Sequence, residues 1–211
     1  MNGRAFRDAV EGAMATELDR LGSRGLLVAL TGGDPEAEPV LRAAAHSERA
    51  ARETFRAWAA DEDDPRARAA FADAADREAE HFERVLDVLG DSAFEPADGG
   101  PMHAYLRERE DAVERVAAGT VGRGLVSVRA HAQVIDFFLD EADERRADLF
   151  RDLRAETEES LDRGLDLLDA LCADPDDWER ARMVAEYVVQ VAYDDYADAL
   201  AALGGDPAPP G

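Results

Sequence analysis

Residues 77–84 read REAEHFER and contain the spacing Glu78-x-x-His81. The apolar residues on either side, Phe71, Ala74, Ala75, Phe82, Val85 and Leu89, recur at intervals of three and four. At about 100° per residue, that interval draws one stripe along an α-helix. Glu78 falls close to the middle of the stripe and His81 roughly 60° from its centre. A carboxylate on the core face of a helix is costly unless a cation, a metal ion or a proton offsets it. The reading of fold and function therefore turns on what faces Glu78.

Composition points the same way as the stripe. The 211-residue chain is 46% hydrophobic but only 7% aromatic, and much of the apolar content is Ala and Leu, which favours close-packed helices over strands. Asp and Glu number 48 against 24 basic residues, all arginine, for a formal charge of −24. Acidic residues are spread along the chain rather than gathered in a tail. They predict a solvated acidic surface suited to very high salt, where screening removes self-repulsion, as in halophilic proteins. Nucleic-acid binding is disfavoured, because phosphate contacts need clustered positive charge. Cys172 is the only cysteine, which excludes a disulfide framework and a cysteine-based zinc site. Following Leu167, Leu168 and Leu171, it reads as a buried small hydrophobe. No run is apolar enough to span a membrane, and the charged, amphipathic start is not a secretory signal, so a cytoplasmic protein is expected.

Helical periodicity is expected in every long segment, and no segment alternates as a strand would. The first helix is predicted over residues 4–30, with Phe6, Val10, Met14 and Leu21 on one side and Glu17 sharing that side. A second runs from about Glu36 or Pro39 to Ala60. A third starts at Pro65, capped by Asp64, and stops at Gly90. The breaker-rich stretch 90–101 reads as a crossover loop. Met102 to Ala118 is predicted helical, with GTVGRG (119–124) interrupting it. Helices over Leu125 to Asp140, Arg145 to Leu171 and Trp178 to Leu203 follow, with Tyr187, Tyr193 and Tyr196 as packing residues of the last. One domain over 1–203 is expected, with a flexible tail at 204–211.

Two predicted hairpins, about 39–89 and 125–171, form a degenerate repeat. Trp58 aligns with Phe138 and, after a one-residue deletion in the second turn, Phe71 aligns with Phe150. Two such hairpins make a four-helix bundle. Glu48 lies on the stripe of the second helix, among Leu41, Ala44, Ala45 and Phe55. It is as far from a turn near Asp63 as Glu78 is, so Glu48, Glu78 and His81 are expected to converge. Their counterparts in the second hairpin are Val128, Thr157 and Ser160, all expected to face inward. Glu156 and Glu159 are expected at the flank and outside, and His46, His103 and His131 at a surface or flank.

Glu48-x-x-Ala51-Arg52-x-x-Phe55 followed by Glu78-x-x-His81 resembles the first half of a ferritin-like carboxylate protein of the rubrerythrin group. In that group each of two hairpins supplies a Glu and then a Glu-x-x-His, and together they hold two iron ions in the core. Phe55 stands where the group usually has Tyr, and there is no cysteine pair for a rubredoxin-like module. The resemblance implies an all-α, ferritin-like four-helix bundle with additional N- and C-terminal helices. It implies non-haem iron oxidoreductase chemistry with oxygen or peroxide. Because Val128, Thr157 and Ser160 are not strong ligands, it implies one iron, manganese or zinc ion rather than two, held by Glu48, Glu78 and His81, with Thr157 and Ser160 lining the pocket. The sequence equally allows a metal-free helical interaction or regulatory protein, in which Arg52 supplies the charge and an acidic surface meets a partner. Either reading is compatible with a homodimer.

Overall fold

The computed structural model describes residues 1–91, 94 and 99–205, and among these no strand occurs. The helices are α1 (Gly3–Ala13), α2 (Ala15–Leu21), α3 (Gly25–Leu30), α4 (Ala37–Asp61), α5 (Pro65–Leu89), α6 (Gly100–Arg107), α7 (Ala112–Arg115), a π-helix (Val116–Gly122), α8 (Arg123–Asp140), α9 (Glu144–Leu171) and α10 (Pro175–Ala202). Aspartate starts most of the long ones. Asp64 accepts from the backbone N–H groups of Arg66 and Ala67, with Pro65 in the first turn of α5. Asp143 caps α9, and Asp174 caps α10 ahead of Pro175. Each such cap contributes about 1 kcal/mol. Gly90 ends α5 in the left-handed region, at φ 73°, which glycine adopts without strain.

The most extensive packing is α4 on α5, followed by α8 on α9. The two hairpins meet along α5 and α9, while α10 crosses the π-helix and also packs on α1, α2 and α3. The aligned aromatic pairs touch within their own hairpins, Trp58 with Phe71 at 5.3 Å and Phe138 with Phe150 at 6.0 Å between ring centroids.

Three boundaries differ from the sequence reading. The predicted helix over 4–30 is broken at Met14 and again at Gly22–Arg24, where the Ser23 hydroxyl donates to the Arg20 carbonyl. The predicted helix from Met102 to Ala118 stops at Arg107, and Asp111 caps a new start. The glycines of 119–124 do not interrupt the chain. Gly119 lies where a Cβ would sit 2.5 Å from the Trp58 ring, and Gly122 where one would sit 2.9 Å from the Ala185 carbonyl oxygen. They serve close packing of the π-helix rather than a break. Part of the predicted loop 90–101 (residues 92, 93 and 95–98) and most of the predicted tail (residues 206–211) lie outside the described residues.

The core divides into two apolar clusters. One gathers Phe55, Trp58, Phe71, Leu125 and Leu161 with the N- and C-terminal helices. The other gathers Leu41, Phe82, Val85, Phe138, Phe150 and Leu153. Each helix of the two hairpins crosses from one cluster to the other, and at the crossing its apolar stripe carries a polar residue. These are Glu48 on α4, Glu78 and His81 on α5, His131 on α8 and Thr157 on α9, all buried. The candidate site is this polar belt.

Candidate metal centre

Glu48, Glu78 and His81 come together as the hairpin count predicts, with 3%, 5% and 0% of their surface exposed. One donor atom from each lies within 4.8 Å of the other two. Nδ1 of His81 is the inward atom, 3.6 Å from Glu48 Oε2 and 4.0 Å from Glu78 Oε2. Both distances exceed a hydrogen bond, and among the described residues the buried Nδ1 has no hydrogen-bond partner.

The other atom of each residue is held by a residue the sequence reading did not place there. Glu48 Oε1 bonds to His131 Nε2 at 3.2 Å. Glu78 Oε1 accepts from the Arg123 guanidinium. His81 Nε2 meets Glu156 Oε2 at 2.8 Å, and Glu156 Oε1 accepts from Arg84 at 2.9 Å. Arg123 is fixed in turn by the Gly119 carbonyl, by the Ser127 hydroxyl and by the Phe55 ring, 5.3 Å from its centre. It is the first residue after the π-helix, whose wider turn sets the phase at which α8 begins.

Charge is distributed unevenly over this cluster. Burial pushes the Glu48 carboxyl up, but its hydrogen bond with His131 and the adjacent His81 and Glu78 carry it well below the usual carboxylate range. Burial pushes Glu78 up to about 8; the Arg123 guanidinium pulls it down, but the Glu48 charge adds to the rise. Burial pulls His81 down, yet Glu48, Glu78 and Glu156 together hold it above its ordinary value. Glu156 is pushed up by burial and held below its ordinary value by Arg84 and His81. Without an ion, then, the pair of buried carboxylates keeps a proton on Glu78, and Glu48 and Glu156 each accept a hydrogen bond from an imidazole N–H.

Several expectations are corrected by these contacts. The second hairpin does not present only small or apolar groups. It supplies Arg123, His131 and Glu156, whose longer side chains reach in from turns beside the positions aligned with Glu48, Glu78 and His81. Of those aligned positions, Val128 and Thr157 are buried and the Thr157 hydroxyl donates to the Leu153 carbonyl. Ser160 is only half-buried, donates to the Glu156 carbonyl and lines an outer trough instead. Arg52 is not the charge partner; it lies over the Phe82 ring at 5.2 Å and, among the described residues, pairs with Glu53 at 4.0 Å. His103 and His131 are buried rather than at a flank, whereas His46 is half-buried against Phe94. His131 was legible in principle, since it follows Val128 by three and precedes Ile135 by four on one stripe. Arg123 was hidden by the glycines around it. Glu17 is half-buried on α2 and takes no part in the cluster, and burial pushes the half-buried Cys172 thiol up to about 11.

Compared with protein-family models, with curated proteins and with solved structures, the chain matches none.

Proposed function

We propose that the protein is a ferritin-like, rubrerythrin-like four-helix bundle that holds one divalent transition-metal ion at Glu48, Glu78 and His81. The supporting observation is the unpartnered Nδ1 of His81, buried and aimed at two carboxylate oxygens while its Nε2 is bonded to Glu156. A carboxylate behind a histidine fixes the ring and its tautomer in metal sites. Ligand bonds of about 2.1 Å require donor atoms about 3–4 Å apart, so the three donors need contract only slightly. Two carboxylates and an imidazole with open positions suit Fe(II), Mn(II) or Zn(II). A second ion is disfavoured. The place its ligands would come from holds the Arg123 guanidinium, which supplies fixed positive charge beside Glu78.

Bound iron would supply one-electron chemistry toward oxygen or peroxide. The chain's own part is to strip the site of bulk water and orient His81 through Glu156 and Arg84. Glu78 gives up its proton when an ion enters, so binding is accompanied by acid release. Titration of chelator-treated protein with Mn(II), Fe(II) and Zn(II) in weak buffer tests the reading. One equivalent should bind with release of acid, and Glu78→Ala should abolish it. No stoichiometric binding, or two equivalents, would overturn it.

The Arg123–Glu78 contact favours a second reading, a metal-free polar network in a helical interaction or regulatory protein, which the same titration separates from the first. The charge of −24 supports a protein adapted to high salt. Among the described residues no helix is long and apolar enough to cross a membrane.

A further inference from the structure

A cavity of about 380 Å³ lies beside Glu48, between the two hairpins and the N- and C-terminal helices. Exposed Leu30, Gly100 and Asp195 stand at its outer end, and Glu48, His103 and His131 at its inner end. Its walls are mainly aliphatic, from residues such as Leu26, Leu27, Val40, Ala130 and Val134. The size and lining are those of small-molecule sites, which are mostly apolar with a few placed polar groups.

The polar groups here lack partners. His103 is 2% exposed, and neither of its ring nitrogens has a hydrogen bond among the described residues. Nδ1 of His131 is also buried without a partner. Leaving such groups unsatisfied is costly, so three of them on residues lining one cavity call for a ligand atom. Burial, with the Arg123 and Arg107 charges, holds His103 down to about 3, so its ring is neutral and offers one N–H donor and one acceptor. Nε2 of His131 is engaged by Glu48, so Nδ1 is the ring atom of His131 left for a ligand. The inner end therefore needs a group that both donates and accepts. The Glu48 carboxylate also lines the cavity and disfavours an anion.

We propose that this cavity binds a small neutral molecule with an apolar body and one hydroxyl group, an alcohol or phenol, whose hydroxyl pairs with His103 and His131. Binding does not depend on the metal reading, and the test uses chelator-treated protein so that failure of one leaves the other standing. Calorimetric titration with phenol, benzene and benzoate matches the probes in size and varies only the polar group. Phenol is expected to bind at least tenfold more tightly than either of the others. His103→Phe should lower phenol to the affinity of benzene, and Ala130→Leu, which fills the cavity, should remove binding of all three. Should His103→Phe fail to fold, imidazole nitrogen resonances of the wild-type protein decide, with His103 shifting on addition of phenol and not of benzene. Benzene binding as tightly as phenol would reduce the site to an apolar void. Tightest binding of benzoate would make it an anion site. No saturable binding, a preference that survives His103→Phe, binding that survives Ala130→Leu, or a His103 signal that phenol leaves unmoved would each overturn the proposal.

Discussion

Replacing Glu78 with Gln should change the stability of the metal-free protein in the direction opposite to the usual loss of a buried charged residue. Folding without an ion moves the Glu78 carboxyl from an ordinary value near 4.5 up to about 8. At pH 7 the unfolded chain has released that proton and the folded chain has kept it. Because the folded value is the higher one, stability from this group is full below about 4.5 and is lost as pH rises through about 8. Each pH unit above the ordinary value costs about 1.4 kcal/mol until the folded value is reached, so holding the proton at pH 7 costs roughly 3 kcal/mol. A glutamine side chain there has nearly the same shape, needs no proton and still offers an oxygen to Arg123. Urea unfolding of chelator-treated protein should therefore show Glu78→Gln more stable than wild type by roughly 3 kcal/mol at pH 7, with a flatter decline between pH 5 and 8. With a saturating divalent ion the order should reverse. The wild type gains about 2.7 kcal/mol at a hundredfold excess over Kd, and the gain grows with further excess, while the variant gains nothing. A metal-free variant less stable than wild type by about 3–5 kcal/mol would refute the reasoning, since it would mean that Glu78 is ionised and that its pairing with Arg123 holds the core together.

Other perturbations probe the same network and its frame. Arg52→Met should change stability by less than about 1 kcal/mol, as expected for a partly exposed pair; a loss several times larger in the same urea assay would mean that Arg52 neutralises the buried carboxylates after all. His103 has a folded value below its ordinary 6.5, so the stability it contributes is present above about 6.5 and is lost as pH falls toward 3. His103→Phe should flatten the acid limb of the stability curve, and an unchanged limb would show that the ring is not buried neutral. Gly122→Ala should lose about 1–3 kcal/mol, because the new Cβ meets the Ala185 backbone oxygen at 2.9 Å, whereas Gly12→Ala, with nothing within 4 Å, should gain about 0.5–1 kcal/mol. Thermal melts rank the two; equal effects would remove the packing role given to the π-helix glycines. Dilution from molar salt should reduce the helical circular dichroism signal, and full retention would remove the high-salt reading of the −24 charge.

Local chemistry was legible in the residues themselves. The stripe through Phe71, Ala75, Phe82 and Val85, with Asp64-Pro65 before it and Gly90 after it, identified α5 and both its ends, because periodicity, capping and left-handed backbone are properties of neighbouring residues. The equal distances of Glu48 and Glu78 from one turn brought them to one level, because a hairpin pairs positions by their count from its turn. Which cation faces Glu78 was not legible. Arg52, one turn from Glu48 on the same helix face, was the candidate, and Arg123 is the one in contact. The difference arises in packing: Gly119 and Gly122 let the π-helix close on Trp58 and Ala185, and that close approach sets where the next residue points. His131, His103 and Glu156 belong to the same class, since each joins the site or its cavity across helices far apart in the chain. The sequence by itself determined which helix faces are apolar and where carboxylates must be buried. Only the tertiary structure decided what lies opposite them, because the reach of a long side chain from a neighbouring helix depends on the phase and separation of two helices, and no short stretch of sequence encodes either.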